Sequence, residues 1–250
     1  LGGSEDGLNG ALPSGKAAYA KASEYAQKAL AINGNIMTKE EWTNPTTGFN
    51  SPASSWMWGL IWSADTVINN LFQFTAHMSP EAAYGYGPLS QPGVSAAVYN
   101  RLQKSDFRRN LIKGPKTTFA EFAQYTLIKD AEEFDTFAPY TFFKFRPGSG
   151  ERNDYKTAGS ISLPLMRLEE MYFIDMEATL HLQGFNAAYQ KLVDFMANRD
   201  NRYICPVSTE EGLLDEILFH KGVEFWGEGL LMFDMKRLDI GIDTAYEGNN

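Results

Sequence analysis

The sequence predicts a mainly all-α protein with long irregular loops and little β-structure, and three observations predict it. First, Gly15–Asn33, GKAAYAKASEYAQKALAIN, carries Ala18, Ala22 and Ala26 at four-residue spacing, continued by Ala29 and Leu30. That recurrence marks one face of a helix, and its small side chains admit a close neighbour. Second, ISLPLMRLEEMYFIDMEATLHLQG predicts a long helix that begins after Pro164 and is ended by Gly184; FNAAYQKLVDFMANR (Phe185–Arg199) predicts the next. So short a linker makes these two helices antiparallel. Third, TEEGLLDEILFHKGVEFWGEGLLMFDMKRL predicts another long helical run, with Thr209 as its N-cap.

Between these helices the chain reads differently. Residues 43–160 are loop-rich, and residues 161–240 form the helical array. NPTTGFNSPASS is dense in turn formers. SSWMWGLIWSAD places Trp at 56, 58 and 62. A spacing of two fits one face of a strand and a spacing of four fits one face of a helix, so both readings stay open. His77–Gly93, rich in Gly and Pro, reads as a long loop, VSAAVYNRLQ as a short helix followed by the charged SDFRRNL. FAPYTFFKFRPGSG (Phe137–Gly150) reads as an extended aromatic segment ending in a turn.

Bulk properties narrow the function. With 250 residues, 44% of them hydrophobic and 21% charged, the chain has the balance of a folded protein. A net charge of −9 argues against nucleic acid, whose phosphates need a positive surface. The lone Cys205, read as a packed or loop residue, allows no disulfide within the chain and no cysteine-based zinc site. No apolar run approaches 18 residues. The opening LGGSEDGLNGALPSG reads as a loop and the ending AYEGNN is abrupt, which suggests that an upstream part is missing.

The charged residues near the C-terminus admit a chemical and an architectural reading. Glu216, His220, Glu224 and Glu228 stand four apart, in one column of a helix. A metal ion would take two adjacent rungs of such a ladder and need its other ligands from elsewhere. The apolar residues around the column predict a buried helix, whose carboxylates must then be paired. Arg167 and Arg199 are the candidate partners, since a guanidinium meets a carboxylate with two parallel hydrogen bonds. Glu170 and Glu177, seven apart, have the residue types of a glycosidase acid and base, but on one helix amid Met, Tyr and Phe they read as structural. No nucleophile elbow, phosphate loop or His-Glu-x-x-His motif occurs, so neither catalysis nor a bound metal or cofactor is expected.

Three ordered stretches resemble the SusD/RagB family of nutrient-binding outer-membrane lipoproteins. PLMRLEEMYFIDMEA (Pro164–Ala178) is similar to that family's Pro-Leu-x-Arg-x-x-Glu helix, and FNAAYQKLVDFMANR to its successor. EILFHKGVEFWGEGLLMFDMKRL (Glu216–Leu238) resembles its closing motif, with Glu224, Glu228, Gly229, Asp234 and Arg237 at the marked positions. SDFRRN and FFKF resemble weaker features upstream. The likeness covers roughly the last 150 residues. Tyr19–Asn33 resembles the second helix of a tetratricopeptide repeat.

The resemblance implies a single domain over residues 1–250, a tetratricopeptide-like helical core that lacks the family's first repeats and its extreme C-terminal segment. Residues 15–33 would be a repeat helix and 43–160 the ligand side. It further implies a non-catalytic glycan-binding protein on the outer face of the outer membrane, held by an N-terminal lipid anchor absent from this chain. Its partner would be a SusC-type TonB-dependent transporter. Arg167, Glu170, Glu177, Arg199, Glu224, Glu228, Asp234 and Arg237 would then form a structural ion-pair network. A sugar needs exposed aromatic platforms beside planar polar groups. Loops supply them, which nominates Tyr84 and Tyr86 in AYGYGP, Trp42 with Asn44, and Trp62, while Trp58 and Trp226 are assigned to the core. Two other readings are a helical scaffold that binds a peptide or protein and a helical glycoside hydrolase.

Overall fold

The computed structural model describes residues 15–63, 65, 78–83 and 87–241. In chain order its elements are α1 (Gly15–Ile32), α2 (Lys39–Thr43), β1 (Trp56–Leu60), α3 (Gly87–Ser90), α4 (Ala96–Arg101), α5 (Phe119–Phe122), α6 (Ala131–Asp135) and α7 (Tyr155–Ala158). There follow β2 (Leu163–Arg167), α8 (Leu168–Gln183), α9 (Phe185–Met196), α10 (Glu210–Glu224) and α11 (Leu230–Arg237). The protein is mainly all-α. Among the described residues the only sheet pairs β1 with β2, and isolated bridges join Gly93 to Thr141 and Ile112 to Phe142. The chain gathers into two units, one from Leu1–Ile36 with Met166–Thr244 and the other built on Met37–Leu165.

The first unit is the helical array. α1 packs along α8, and a polar knot fixes its position: Ser23 Oγ donates to Asp175 Oδ1 at 2.6 Å and Gln27 Nε2 to the same oxygen at 3.1 Å. Lys191 of α9 pairs with Asp175 Oδ2. Tyr19 of α1 stacks on His181 of α8, with ring centroids 4.1 Å apart. α8 and α9 form the tight hairpin that the sequence predicts, joined by Gly184 at φ +84°, a conformation that disfavours any side chain. Phe173, Met176 and Leu180 of α8 meet Leu192, Phe195 and Met196 of α9 and Leu213 and Ile217 of α10 in one core, which also contains Cys205.

Two expectations from the sequence change here. The helix predicted to begin after Pro164 begins at Leu168, because residues 163–167 are strand β2. Proline biases the residue before it toward extended backbone, and Arg167 remains extended at φ −124°, ψ 149°. The last helical run also breaks in two. α10 ends at Glu224, and Gly227 at φ +76° and Gly229 at φ +82° carry the chain into α11. These glycines serve the turn that divides the run predicted as one long helix.

The second unit holds its loops with aromatic residues and buried charge. Phe122, Ile128, Phe134, Phe137 and Phe143 form one core. The extended segment predicted around Phe142 lies beside residues 92 and 111–113, with Phe142 N–H donating to Pro92 O at 3.0 Å and Phe143 N–H to Leu111 O at 2.8 Å. Arg146 and Glu81 form a fully buried ion pair at 2.6 Å. Glu81 also accepts from the Thr126 hydroxyl and the Leu127 N–H, both at 2.6 Å, so one carboxylate ties together three distant stretches. The open reading of the Trp cluster resolves as strand for Trp56 and Trp58, and Trp62 lies beyond the end of β1. Trp58 is 61% exposed, which corrects its assignment to the core, and Trp226 is half-buried.

Two substitutions test this account by urea unfolding. Leu192→Ala leaves a cavity between three helices and costs about 2–5 kcal/mol. Gly229→Ala meets no atom within 4 Å of the new Cβ, so only backbone strain remains, about 1 kcal/mol.

Candidate functional site

The acidic column of α10 separates into two structural groups. Glu224 receives Arg199 through two parallel hydrogen bonds, Nε to Oε2 and Nη2 to Oε1, each 3.0 Å. Arg167 grips Glu228 in the same way, Nε to Oε2 and Nη2 to Oε1, each 2.9 Å. It also reaches Glu224 Oε1 at 3.3 Å and the Glu224 carbonyl at 3.1 Å. Glu169 bridges the two arginines, accepting from Arg199 at 3.3 Å and lying 2.9 Å from Arg167 as an ion pair without hydrogen-bond alignment. The Arg167 guanidinium lies over the Phe225 ring at 4.5 Å. Burial by itself would lower the Arg167 pKa, but Glu169, Glu228 and Glu224 outweigh it and raise it.

The other rungs lie elsewhere. Glu216 accepts from the Tyr203 hydroxyl at 2.9 Å and contacts His220 Nε2 at 3.0 Å. Burial, with the charge of Glu216, pushes the Tyr203 pKa up. Further along, Arg237 donates to both oxygens of Glu177 at 2.5 Å and to Asp234 at 2.8 Å, and Lys221 pairs with Asp234 at 2.7 Å. Of the residues expected in the network, Glu170 stands apart. It makes no ion pair among the described residues, and burial raises its pKa, with Lys221 opposing. Glu169 occupies the place expected for Glu170. The missed signal was periodic: Glu169 precedes Phe173, Met176 and Leu180 by four, seven and eleven residues, on the core stripe, whereas Glu170 shares a face with Ile174 and Glu177. That second face lines a groove of about 480 Å³ between α1, α8 and α11.

The residues nominated for ligand binding have several fates. Trp42 is fully buried, its ring edge-on to Phe49 at 4.5 Å and to Phe107 at 6.1 Å, so it offers no stacking face. The bulk of the indole makes it a core residue despite its loop-like neighbours. Asn44 is exposed, and its Oδ1 caps the following turn by accepting from Thr46 and Thr47 N–H. Trp62 is half-buried, its backbone N–H donating to Ser162 Oγ at 3.2 Å. Tyr84 and Tyr86 lie outside the described residues.

Two features of the second unit are open to solvent. β1 exposes Trp58 and Leu60, with Ile61 just beyond it. A polar cleft of about 300 Å³ is lined by Tyr99, Lys104, Arg109, Asn110, Glu121 and Tyr125 among others. The single turn Phe107–Leu111 builds this cleft. Asp106 caps it and engages Arg108 in the interior, Nη2 to Oδ2 at 2.7 Å, while Arg109 turns outward. The two adjacent arginines of SDFRRN therefore face opposite ways, which spacing alone did not disclose.

Comparison with known proteins places the chain. The sequence profile of the SusD family matches residues 107–249. A SusD-like carbohydrate-binding protein from Bacteroides vulgatus is similar in structure, with a TM-score of 0.65 and 26% identity over 88% of this chain and 41% of that one. A SusD superfamily protein from Bacteroides thetaiotaomicron has a TM-score of 0.67 and 21% identity, covering 93% of this chain and 48% of that one. Surface glycan-binding protein A from Bacteroides thetaiotaomicron, in complex with laminarihexaose, has a TM-score of 0.60 and 14% identity, covering 94% and 54%. The chain thus spans about half the length of these structures or less. No curated protein sequence matches it.

Two variants test the charge arrangement. Arg199→Met leaves Glu224 and Glu169 to share Arg167, already engaged by Glu228, as their remaining counter-charge, and costs about 3–5 kcal/mol in urea unfolding. Glu170→Gln does the reverse. A carboxyl whose folded pKa is raised binds its proton more tightly folded than unfolded, so its ionisation destabilises the fold as pH rises. The variant melts higher than the parent at neutral pH, and the difference shrinks as pH falls into the carboxylate range.

Proposed function

The chain belongs to the SusD family, and on that premise we propose that it binds glycan at the cell surface for nutrient uptake. The family match over residues 107–249 carries this reading. The relative that holds laminarihexaose supports the ligand class. The protein acts without catalysis, on the outer face of the outer membrane, held there by a lipid anchor. It hands its ligand to a SusC-type TonB-dependent transporter. Ion pairing supports the non-catalytic reading. Glu177, one of the two acids considered for an acid–base role, is clasped by Arg237, and Glu216, Glu224 and Glu228 are engaged by tyrosine and arginine.

The glycan-binding surface belongs to the loop-rich second unit. Sugars have apolar C–H faces ringed by hydroxyl groups, so they settle on exposed rings flanked by planar donors and acceptors. Trp58 is such a ring, and Tyr84, Tyr86, Trp62 and Asn44 are proposed to act with it.

Affinity electrophoresis against a polysaccharide panel tests the reading. At least one glycan retards the protein, and no reducing ends appear on incubation. Release of reducing ends would instead identify a hydrolase, and indifference to every glycan would favour the scaffold. With a retarding glycan in hand, Trp58→Ala weakens binding about fivefold, on the scale of the ~1 kcal/mol an aromatic contact contributes.

A further inference from the structure

Building on the glycan-binding reading, we propose that the cleft at Arg109 takes an anionic sugar unit, one bearing a carboxylate or a sulfate ester. The argument begins with Arg109. Its Nη1 donates to the Leu102 carbonyl at 2.8 Å, and its guanidinium lies 4.1 Å from the centre of the Tyr99 ring. These two contacts hold the fork flat. Its neighbour Arg108 takes Asp106, so Arg109 has no acidic partner among the described residues, and its Nε and Nη2 are left to an outside acceptor. An immobilised fork with unspent parallel donors is the group that matches a carboxylate or a sulfate.

The rest of the cleft suits a sugar better than a bare anion. Lys104 is exposed on the same lining and forms no ion pair among the described residues. Asn110 donates to the Tyr125 hydroxyl at 3.4 Å, which keeps its amide oxygen available to a hydroxyl donor. Tyr99 is itself fixed, its ring packed at 5.5 Å and tilted by 60° against Tyr140. Its hydroxyl lies where a Cβ on Gly114 would sit, 2.1 Å from that point, so only glycine leaves the ring its place. Glu121 is the one acid on the lining, and it is turned to its own helix, accepting from the Thr118 N–H and hydroxyl at 2.9 Å each. The lining thus carries two cations against one engaged acid, in a chain whose net charge is −9. About 300 Å³ is the small end of ligand pockets, suited to a short stretch of sugar rings.

The test uses matched glycans that differ only in charge: oligogalacturonate with its carboxyl-reduced counterpart, and dextran sulfate with dextran. Calorimetry with the protein is expected to show about tenfold tighter binding to the charged member of at least one pair, the scale of a charge-assisted fork. Preference in the first pair assigns a uronate and in the second a sulfate ester; either supports the proposal. Arg109→Lys keeps the charge, loses the fork and reduces the preference, and Asn110→Asp, at an exposed position, reduces it by repulsion. Melting temperatures accompany both variants, and Lys104→Gln serves as a further exposed probe should Arg109→Lys melt early. Equal affinity for both members of each pair, or a preference indifferent to all three substitutions, overturns the proposal. If neutral glycans from the wider panel still bind, the glycan-binding reading survives that failure; if no glycan binds, both fall.

Discussion

Two arginines and three glutamates, closed off from water between helices, are the constraint on which the helical unit is built. Arg167 stands where β2 gives way to α8, and Arg199 lies just beyond the end of α9. Glu169 opens α8, while Glu224 and Glu228 flank the end of α10. Every member therefore sits at the end of an element, where a helix must be fixed against its neighbours. Each guanidinium faces more than one carboxylate, so no single pair can form properly unless α8, α9 and α10 are all in register. Hydrophobic contacts among Phe173, Leu192 and Ile217 supply the drive to collapse, but they are undirected. The forks supply direction, since a misplaced helix would leave a charge buried without its counterpart.

The same logic appears on a smaller scale in the loop-rich unit, where regular structure is scarce. Glu81 with Arg146 and Asp106 with Arg108 are buried pairs that organise irregular backbone. Lys113 donates to the Phe134 and Phe137 carbonyls, and burial lowers its pKa. Lys144 is enclosed by the rings of Trp42, Phe49 and Phe145, with Phe49 at 4.6 Å. Basic side chains here do what ladder hydrogen bonds do in a sheet: they give loop carbonyls and acids a partner within the interior.

How much could be read in advance follows from the range of the forces involved. The helices were legible because a 3.6-residue period is local: the alanine stripe of α1, the Gly184 stop and the Thr209 cap all appear within a few residues. Thr209 does cap α10, its side chain accepting from Gly212 N–H at 3.1 Å. The arginine partners of Glu224 and Glu228 were legible too, because a buried acid on a helix apolar nearly all round has few alternatives. The strand before α8 was not, since its pairing with β1 joins residues about a hundred positions apart. Trp42 and Trp58 exchanged expected places for a related reason. Whether an indole is covered depends on which distant rings reach it, and neighbouring residues carry no record of that. The cleft was hidden because its charge is set by Asp106 choosing Arg108 over Arg109.

The contrast between enclosed and open guanidinium groups carries an environmental consequence. Ions in solution screen exposed charges strongly and enclosed ones little. Arg167 and Arg199 are shielded, so raising the ionic strength leaves the helical unit's cement in place. Arg109 faces solvent, and its attraction for a charged glycan fades under the same conditions. Brackish or saline surroundings would thus leave this protein folded while quieting its electrostatic reach.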